Sequence, residues 1–292
     1  MHVVFGASGR AGGETANALI ERGHRVRVVV RRPEQGERWK QRGADVAIAD
    51  FDDVATVVAA LEGASAAFLL SPPPVSGDPY ARAAKVSATL AEAADRASLP
   101  RAVLLSSIGA QLDQGTGVIA TLHQFETALE NAAPDVAFLR SSYFVETWEE
   151  VAQSAVADGV LPSFLPLDLK ISMASTTDVG HAAAQLMSES WTGKRIVELF
   201  SLADWTATDV AHAFATALGR PVQAVFVPPE QRPALMEETG VPREVADALL
   251  GMYEGIESGR IAPEGGHETR HGTTTLEHAI GRIVADIRVA AQ

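Results

Sequence analysis

Cysteine is absent from this 292-residue chain, which removes disulfides, thiolate nucleophiles, cysteine-ligated zinc and iron–sulfur clusters from consideration. Long apolar runs are missing as well: the roughly 18 consecutive apolar residues needed to span a bilayer occur nowhere, so no membrane partner is expected. Gly6 and a polar turn interrupt the first apolar run, leaving no basic-then-apolar leader, and a cytoplasmic protein is expected. Positive charge is in deficit, with 24 Lys and Arg against 37 Asp and Glu and a formal net charge of −13. No broad cationic surface therefore exists to displace counterions, and no nucleic-acid partner is expected. Trp39, Trp148, Trp191 and Trp205 are scattered, without the basic and aromatic interleaving of a single-strand binder.

Other chemistries lack their context. Ser106 and Ser107 do not sit in a nucleophile elbow, which argues against a hydrolase. His267 and His271 have helical spacing, but Gly265, Gly266 and Gly272 weaken any helix there, and no third ligand stands at a recognisable distance, so no metal is expected. What the chain does have is apolar content, 47% hydrophobic, enough to bury the core of one large domain or of a nucleotide-binding domain with a smaller lobe.

The sequence VVFGASGRAGG over 3–13 runs an apolar strand into a glycine turn that opens a helix, since Ala16, Leu19 and Ile20 recur at helical spacing. Gly6 permits a tight turn, Gly9 a close approach to a pyrophosphate, and Gly12 close packing of helix on strand. Ala7, Ser8, Arg10 and Ala11 complete the loop, and unpaired N–H groups at the helix start would face the anion. A turn without a ligand is the other reading of these glycines. Arg25–Val30 is a second strand ending in Arg31 and Arg32, about twenty residues past the glycines, where a ribose would lie. Acid at that place suits the free ribose of NAD, whereas arginine suits a 2'-phosphate. Residues 22–42 hold eight Lys or Arg against two acids, against the trend of the whole chain. The pair reads as a preference for NADP(H), or else as two solvated surface arginines.

Further on, Asp45–Ala49 forms a strand leading to Asp50 and Phe51, where a carboxylate can reach an adenine amino group, while Asp52 or Asp53 caps a helix over 54–61. Ala66–Leu70 is a fourth strand, followed by Ser71 and three prolines beginning at Pro72, which impose an extended loop at the sheet's carboxyl edge. Helices are expected over 79–97 and 118–131, and strands over 102–105, ending at Ser106 and Ser107, and over 136–139. This alternation predicts a Rossmann-type, doubly wound parallel α/β sheet. The dinucleotide domain is placed at 1–150 and a smaller C-terminal α/β lobe, mainly covering substrate, at 151–292, with parts of the later chain free to pack back on the sheet. Within it, Thr206 with Asp209 and Thr274 with Glu277 mark helix starts, 223–227 a strand, and 255–273 a mobile loop.

Taken together these segments resemble the NmrA-like group of atypical short-chain dehydrogenases, which includes NADPH-dependent quinone, triphenylmethane-dye and azo-dye reductases. The resemblance rests on the glycine loop at 6–13, the Arg31-Arg32 pair, Asp50, His123 to Glu126 ahead of Leu139-Arg140, Tyr143 to Glu146, Thr177 to His181, Leu218 to Val222 and Gly272 to Glu277. It implies a Rossmann domain with a smaller lobe, NADP(H) as cofactor and a cleft between the two for nicotinamide and substrate. It adds Leu70, Ser71, Pro72, Ser106, Ser107 and His123 to the cofactor contacts, and Tyr143, Phe144, Trp148 and Phe164 as substrate contacts.

Two departures bear on the chemistry. Thr147 stands where many family members carry Asn. The Tyr-x-x-x-Lys proton donor is missing, since residue 84 is Ala and neither Tyr143 nor Tyr253 is followed by lysine four residues later. Alcohol–carbonyl interconversion needs a positioned acid, whereas quinones, azo compounds and cationic dyes delocalise an incoming hydride. The expected function is direct hydride transfer from NADPH to a small planar acceptor, with flavin unnecessary. His123 and Tyr143 are the candidate proton or polarising groups, and Glu126, three residues on, shares a helix face with His123 and could orient its imidazole. An ordinary structural role remains the other reading of both. A non-catalytic NADP(H)-binding redox sensor is the rival function, and an epimerase or dehydratase the third. Monomer and homodimer are both compatible with the sequence.

Overall fold

The computed structural model describes residues 1–73 and 75–290; Pro74, last of the three loop prolines, lies outside the described residues. The first half alternates strand and helix: β1 (His2–Phe5), α1 (Arg10–Glu21), β2 (Val26–Val30), α2 (Glu37–Gln41), β3 (Asp45–Ile48), α3 (Val54–Leu61), β4 (Ala66–Leu69), α4 (Pro79–Arg96), β5 (Arg101–Ser107), α5 (Ala120–Leu129) and β6 (Asp135–Ser141). The second half is more irregular: β7 (Tyr143–Phe144), α6 (Ala152–Asp158), β8 (Val160–Ser163), β9 (Ile171–Ala174), α7 (Thr176–Ser188), β10 (Lys194–Phe200), β11 (Asp204–Trp205), α8 (Ala207–Leu218), β12 (Gln223–Phe226), α9 (Arg232–Glu238), α10 (Arg243–Glu257), β13 (Glu268–His271) and α11 (Leu276–Ala290).

Among the described residues, eight strands form one parallel sheet in the order β13-β10-β6-β5-β4-β1-β2-β3. The strands are apolar on both faces because both are covered. Val4, Phe68, Val103, Ala137 and Leu139 pack under α1 and α7, while Phe5, Leu69, Leu104 and Phe138 pack under α3, α4 and α5. Strand order reverses between β1 and β4, and a ligand crevice opens beyond the strand carboxyl ends at such a reversal.

Side-chain caps fix several helix starts. Asp53 accepts from the Ala55 amide at 3.0 Å to begin α3, and Thr206 and Asp209 form the reciprocal cap of α8. The last helix departs from the expected Thr274–Glu277 start: Thr275 accepts from the His278 amide at 3.2 Å, one residue later.

Chain beyond residue 150 contributes β10 and β13 to the large sheet, while β12 pairs with β8 away from it. Segment 255–273, expected as a mobile loop, instead carries the end of α10 and the edge strand β13. Its sequence, Glu-Thr-Arg-His, has no apolar alternation to announce a strand. Tertiary contacts hold it: backbone pairing to β10, the Gly272 amide on the Phe200 carbonyl at 2.7 Å, and the Asp178 carboxylate accepting from the Thr273 and Thr274 amides at 3.0 and 3.1 Å. Away from the large sheet lie two further apolar clusters. One joins α6, α8 and α11, and the other gathers Leu165, Met236, Ala246 and Tyr253.

Candidate functional site

At the carboxyl end of β1 the chain turns through Gly6, whose φ of +67° suits glycine, and the Gly9 amide closes the turn on the Gly6 carbonyl at 2.9 Å. Close packing demands glycine again at Gly12: a Cβ there would lie 2.4 Å from the Gly6 oxygen and 2.6 Å from the Phe5 oxygen. Gly9 heads α1 in extended conformation, with no side-chain cap and no acid in the first turn. The first N–H groups of α1 therefore have no protein partner supplied by a cap, and a Cβ added at Gly9 would meet only the Gly6 oxygen at 3.4 Å. An open, uncapped and acid-free helix start fits a phosphate. Leu70 lines the turn from β4, its Cδ2 2.7 Å from where a Gly6 Cβ would stand. Ser71 and Pro72 follow, half-buried.

One strand across, Arg31 and Arg32 are exposed at the end of β2. Arg32 makes an ion pair with Glu34 at 3.0 Å, both side chains largely in solvent, a contact weak enough to exchange for a ligand. The structure adds Arg38, which the basic run contained but sequence spacing did not single out. Its Nη2 donates to the Ala7 carbonyl at 2.8 Å, and its guanidinium lies 4.9 Å over the Trp39 ring, beside the glycine turn. Arg10 leans the other way, paired with Glu149 at 2.5 Å. Asp50 is exposed and accepts from the Asp52 amide at 2.9 Å, and Phe51 stacks on Phe5 with centroids 5.9 Å apart. Ala7 and Ala11 are buried, and Ser8 is exposed at the tip of the turn.

The expected pairing of His123 with Glu126 does not form. Glu126 is buried and turned under the sheet edge, where its carboxylate accepts from Arg140 Nη2 at 2.6 Å, Arg140 Nε at 2.8 Å and Ser106 Oγ at 2.5 Å. The Ser106 hydroxyl thus donates its hydrogen bond to a buried carboxylate. A buried guanidinium is a stronger partner for Glu126 than an imidazole on the same helix, and β6 delivers it. His123 is oriented by the backbone instead: Nδ1 lies 3.0 Å from the Ala110 carbonyl. Because a carbonyl only accepts, Nδ1 carries the proton, and Nε2 has no hydrogen-bond partner among the described residues. Ser107 donates to the Ile108 carbonyl at 2.9 Å.

Tyr143 lies just past the end of β6, partly exposed, with Phe144 packed partly under the sheet core. The Tyr143 hydroxyl is 3.3 Å from that of Tyr253 on α10, a partner 110 residues away that no local spacing marks. Burial and the neighbouring Tyr253 push the Tyr143 hydroxyl well above its ordinary value, so it stays protonated. Phe164 meets Tyr253 edge-on at 5.2 Å. Trp148, expected at the substrate wall, is 4% exposed in the apolar cluster with α6, α8 and α11, its Nε1 donating to Met173 Sδ at 3.4 Å. A large aromatic in a helical turn packs inward when a core waits beneath it. The Tyr80 hydroxyl donates to the Gly117 carbonyl at 3.2 Å and Lys85 pairs with Asp52 at 2.7 Å, so these two form no proton-donating couple.

The NmrA-like family model matches residues 2–278. An NAD(P)H azoreductase from Xenophilus azovorans is 25% identical over 254 residues, 87% of this chain and 86% of that protein. The fold superposes on an NADPH-dependent quinone oxidoreductase from Escherichia coli, solved with NADPH, with a TM-score of 0.81 and 24% identity across 97% of this chain and 100% of that one. A triphenylmethane reductase from Citrobacter sp., solved with NADP(H), gives a TM-score of 0.80 and 20% identity across 97% and 100% of the two chains. No helix among the described residues is long and apolar enough to cross a membrane.

Proposed function

The chain belongs to the NmrA-like family, and from that premise we propose that it is an NADPH-dependent reductase of small, planar, electron-poor acceptors such as quinones, azo compounds or cationic dyes. The observation that carries this reading is the uncapped, acid-free start of α1 at the sheet's reversal point, with Arg31 and Arg32 one strand away. The names of the azoreductase and the quinone oxidoreductase support the reaction class.

NADPH, when bound, supplies a hydride. The chain's own residues do the rest. Amides at the start of α1 hold the pyrophosphate, and Arg31 and Arg32, aided by Arg38, neutralise the 2'-phosphate. His123, its Nδ1 fixed on Ala110, presents Nε2 as acceptor, or as donor when protonated. Tyr143 offers a hydroxyl at the end of β6. Without a Tyr-x-x-x-Lys pair, the site depends on position more than on acid catalysis, which suits acceptors that delocalise the added electrons.

Loss of reduced-nicotinamide absorbance, followed with NADPH or NADH and a panel of quinones, azo dyes, cationic dyes and simple carbonyls, tests the reading. Consumption of NADPH with quinone or dye and not with simple carbonyls is the expected result. Confirmed NADPH binding without turnover of any acceptor, together with partner binding that depends on NADPH against NADP⁺, would instead identify a redox sensor.

A further inference from the structure

The two hydroxyls that meet between the sheet edge and α10 are unequal. Tyr253 is 9% exposed, and its hydroxyl has no hydrogen-bond partner among the described residues other than Tyr143, 3.3 Å away. A buried O–H left without an acceptor is costly, so Tyr253 donates and the Tyr143 oxygen accepts. With its oxygen engaged as acceptor, Tyr143 has its own O–H left for a further partner, and donation strengthens when the donor's oxygen is itself accepting.

Tyr253 is held for this task. Phe164 stands edge-on to its ring at 5.2 Å and 81°. Behind Phe164 lies Arg232, 2% exposed, between the Phe164 and Phe226 rings at 5.8 and 5.4 Å. Arg232 is fixed in turn by the Val227 carbonyl at 3.0 Å and by Glu257 at 2.8 Å.

We infer that Tyr143 donates a hydrogen bond to an acceptor oxygen that becomes negative on reduction, that Tyr253 is the positioning residue freeing that donor, and that the pair favours quinones over cationic dyes. This rests on the reductase reading above. A quinone that takes up hydride, as the nicotinamide C4–H bond breaks and NADPH becomes NADP⁺, gains two electrons and one proton. It carries the negative charge on oxygen until solvent water supplies a second proton. A cationic triarylmethane dye ends the same uptake neutral and offers no oxyanion to stabilise. Burial holds both phenols protonated, Tyr253 at about 12, so they donate hydrogen bonds at neutral pH without surrendering protons.

Two measurements test the pair. In turnover, Tyr143→Phe should lower kcat with a quinone about fivefold to tenfold more than kcat with a cationic dye, the size of one lost hydrogen bond, and Tyr253→Phe should shift the ratio the same way by less, since it leaves the Tyr143 O–H in place. In binding, with NADP⁺ present, the wild-type protein should take up para-nitrophenolate more tightly than para-nitroanisole, by absorbance titration; Tyr143→Phe should lose that preference and Tyr253→Phe should weaken it. Unchanged quinone-to-dye ratios, a wild-type protein indifferent between the two probes, or variants that retain the preference undiminished would overturn the inference. Should the wild type bind NADPH yet reduce no acceptor, the reductase reading fails while the probe titration still decides the hydrogen-bond pair.

Discussion

Arg140 and Glu126 meet fork to fork under the edge of the sheet, Nη2 2.6 Å from one carboxylate oxygen and Nε 2.8 Å from the other, with both side chains buried. The remaining guanidinium nitrogen reaches Glu264 at 2.5 Å, so one buried cation ties α5 and β6 to the segment leading into β13. Burial alone would lower the Arg140 pKa, but Glu126 and then Glu264 hold it above its ordinary value.

Removing one partner exposes the cost of burying the other. Glu126→Ala should destabilise the fold by up to about 3–5 kcal/mol, because Arg140 keeps its buried charge with Glu264 as its remaining carboxylate partner. Urea unfolding measures it, and a change below about 1 kcal/mol would show that solvent enters the site.

Glu264 makes this network sensitive to acid. Hydrogen bonding from Arg140, aided by His267, holds its carboxyl below the ordinary value of 4.5. A carboxylate lowered in the folded state stabilises it above the unfolded value, and that contribution disappears as pH falls through the folded value. Amide exchange at Glu264, whose N–H donates to Glu198 at 2.8 Å, should therefore accelerate as pH drops below 4.5, beyond the intrinsic trend. Glu264→Gln should remove that extra dependence; a variant that keeps it places the titration elsewhere.

Cofactor choice is tested at the end of β2. The double change Arg31→Ala and Arg32→Ala should weaken NADPH about 10-fold to 100-fold, the range for lost charge-assisted hydrogen bonds, and NADH far less. Fluorescence titration with both nucleotides reads the ratio. Equal weakening would withdraw the 2'-phosphate assignment.

His123→Ala should slow turnover about 10-fold to 100-fold while leaving NADPH affinity within a factor of about three, if Nε2 acts on the acceptor. Steady-state rates and nucleotide titration separate the two effects. An unchanged rate would make the Ala110 contact a purely structural one.

Neighbours in the chain were enough to mark most of the sheet, the glycine turn and several helix starts. Val3 to Phe5 are apolar at every position, Gly12 must lack a side chain to let α1 sit on β1, and Thr206 needs only Asp209, three residues on, to cap α8. Tertiary structure decided whatever depends on partners distant in sequence. Glu126 is three residues from His123 yet bonds to Arg140, because β6 delivers a guanidinium into a dry site and a buried carboxylate takes its strongest partner. Trp148 turned into the apolar cluster under α8 and α11, and Glu268–His271 became an edge strand on backbone pairing and the Asp178 carboxylate, with nothing in its own residues to mark it. Tyr253 joined Tyr143 across 110 residues, since α10 packs it into the same apolar cluster as Tyr143 and a buried hydroxyl must find an acceptor. Local propensity and periodicity act over a few residues, whereas desolvation compels long-range pairings that no spacing encodes.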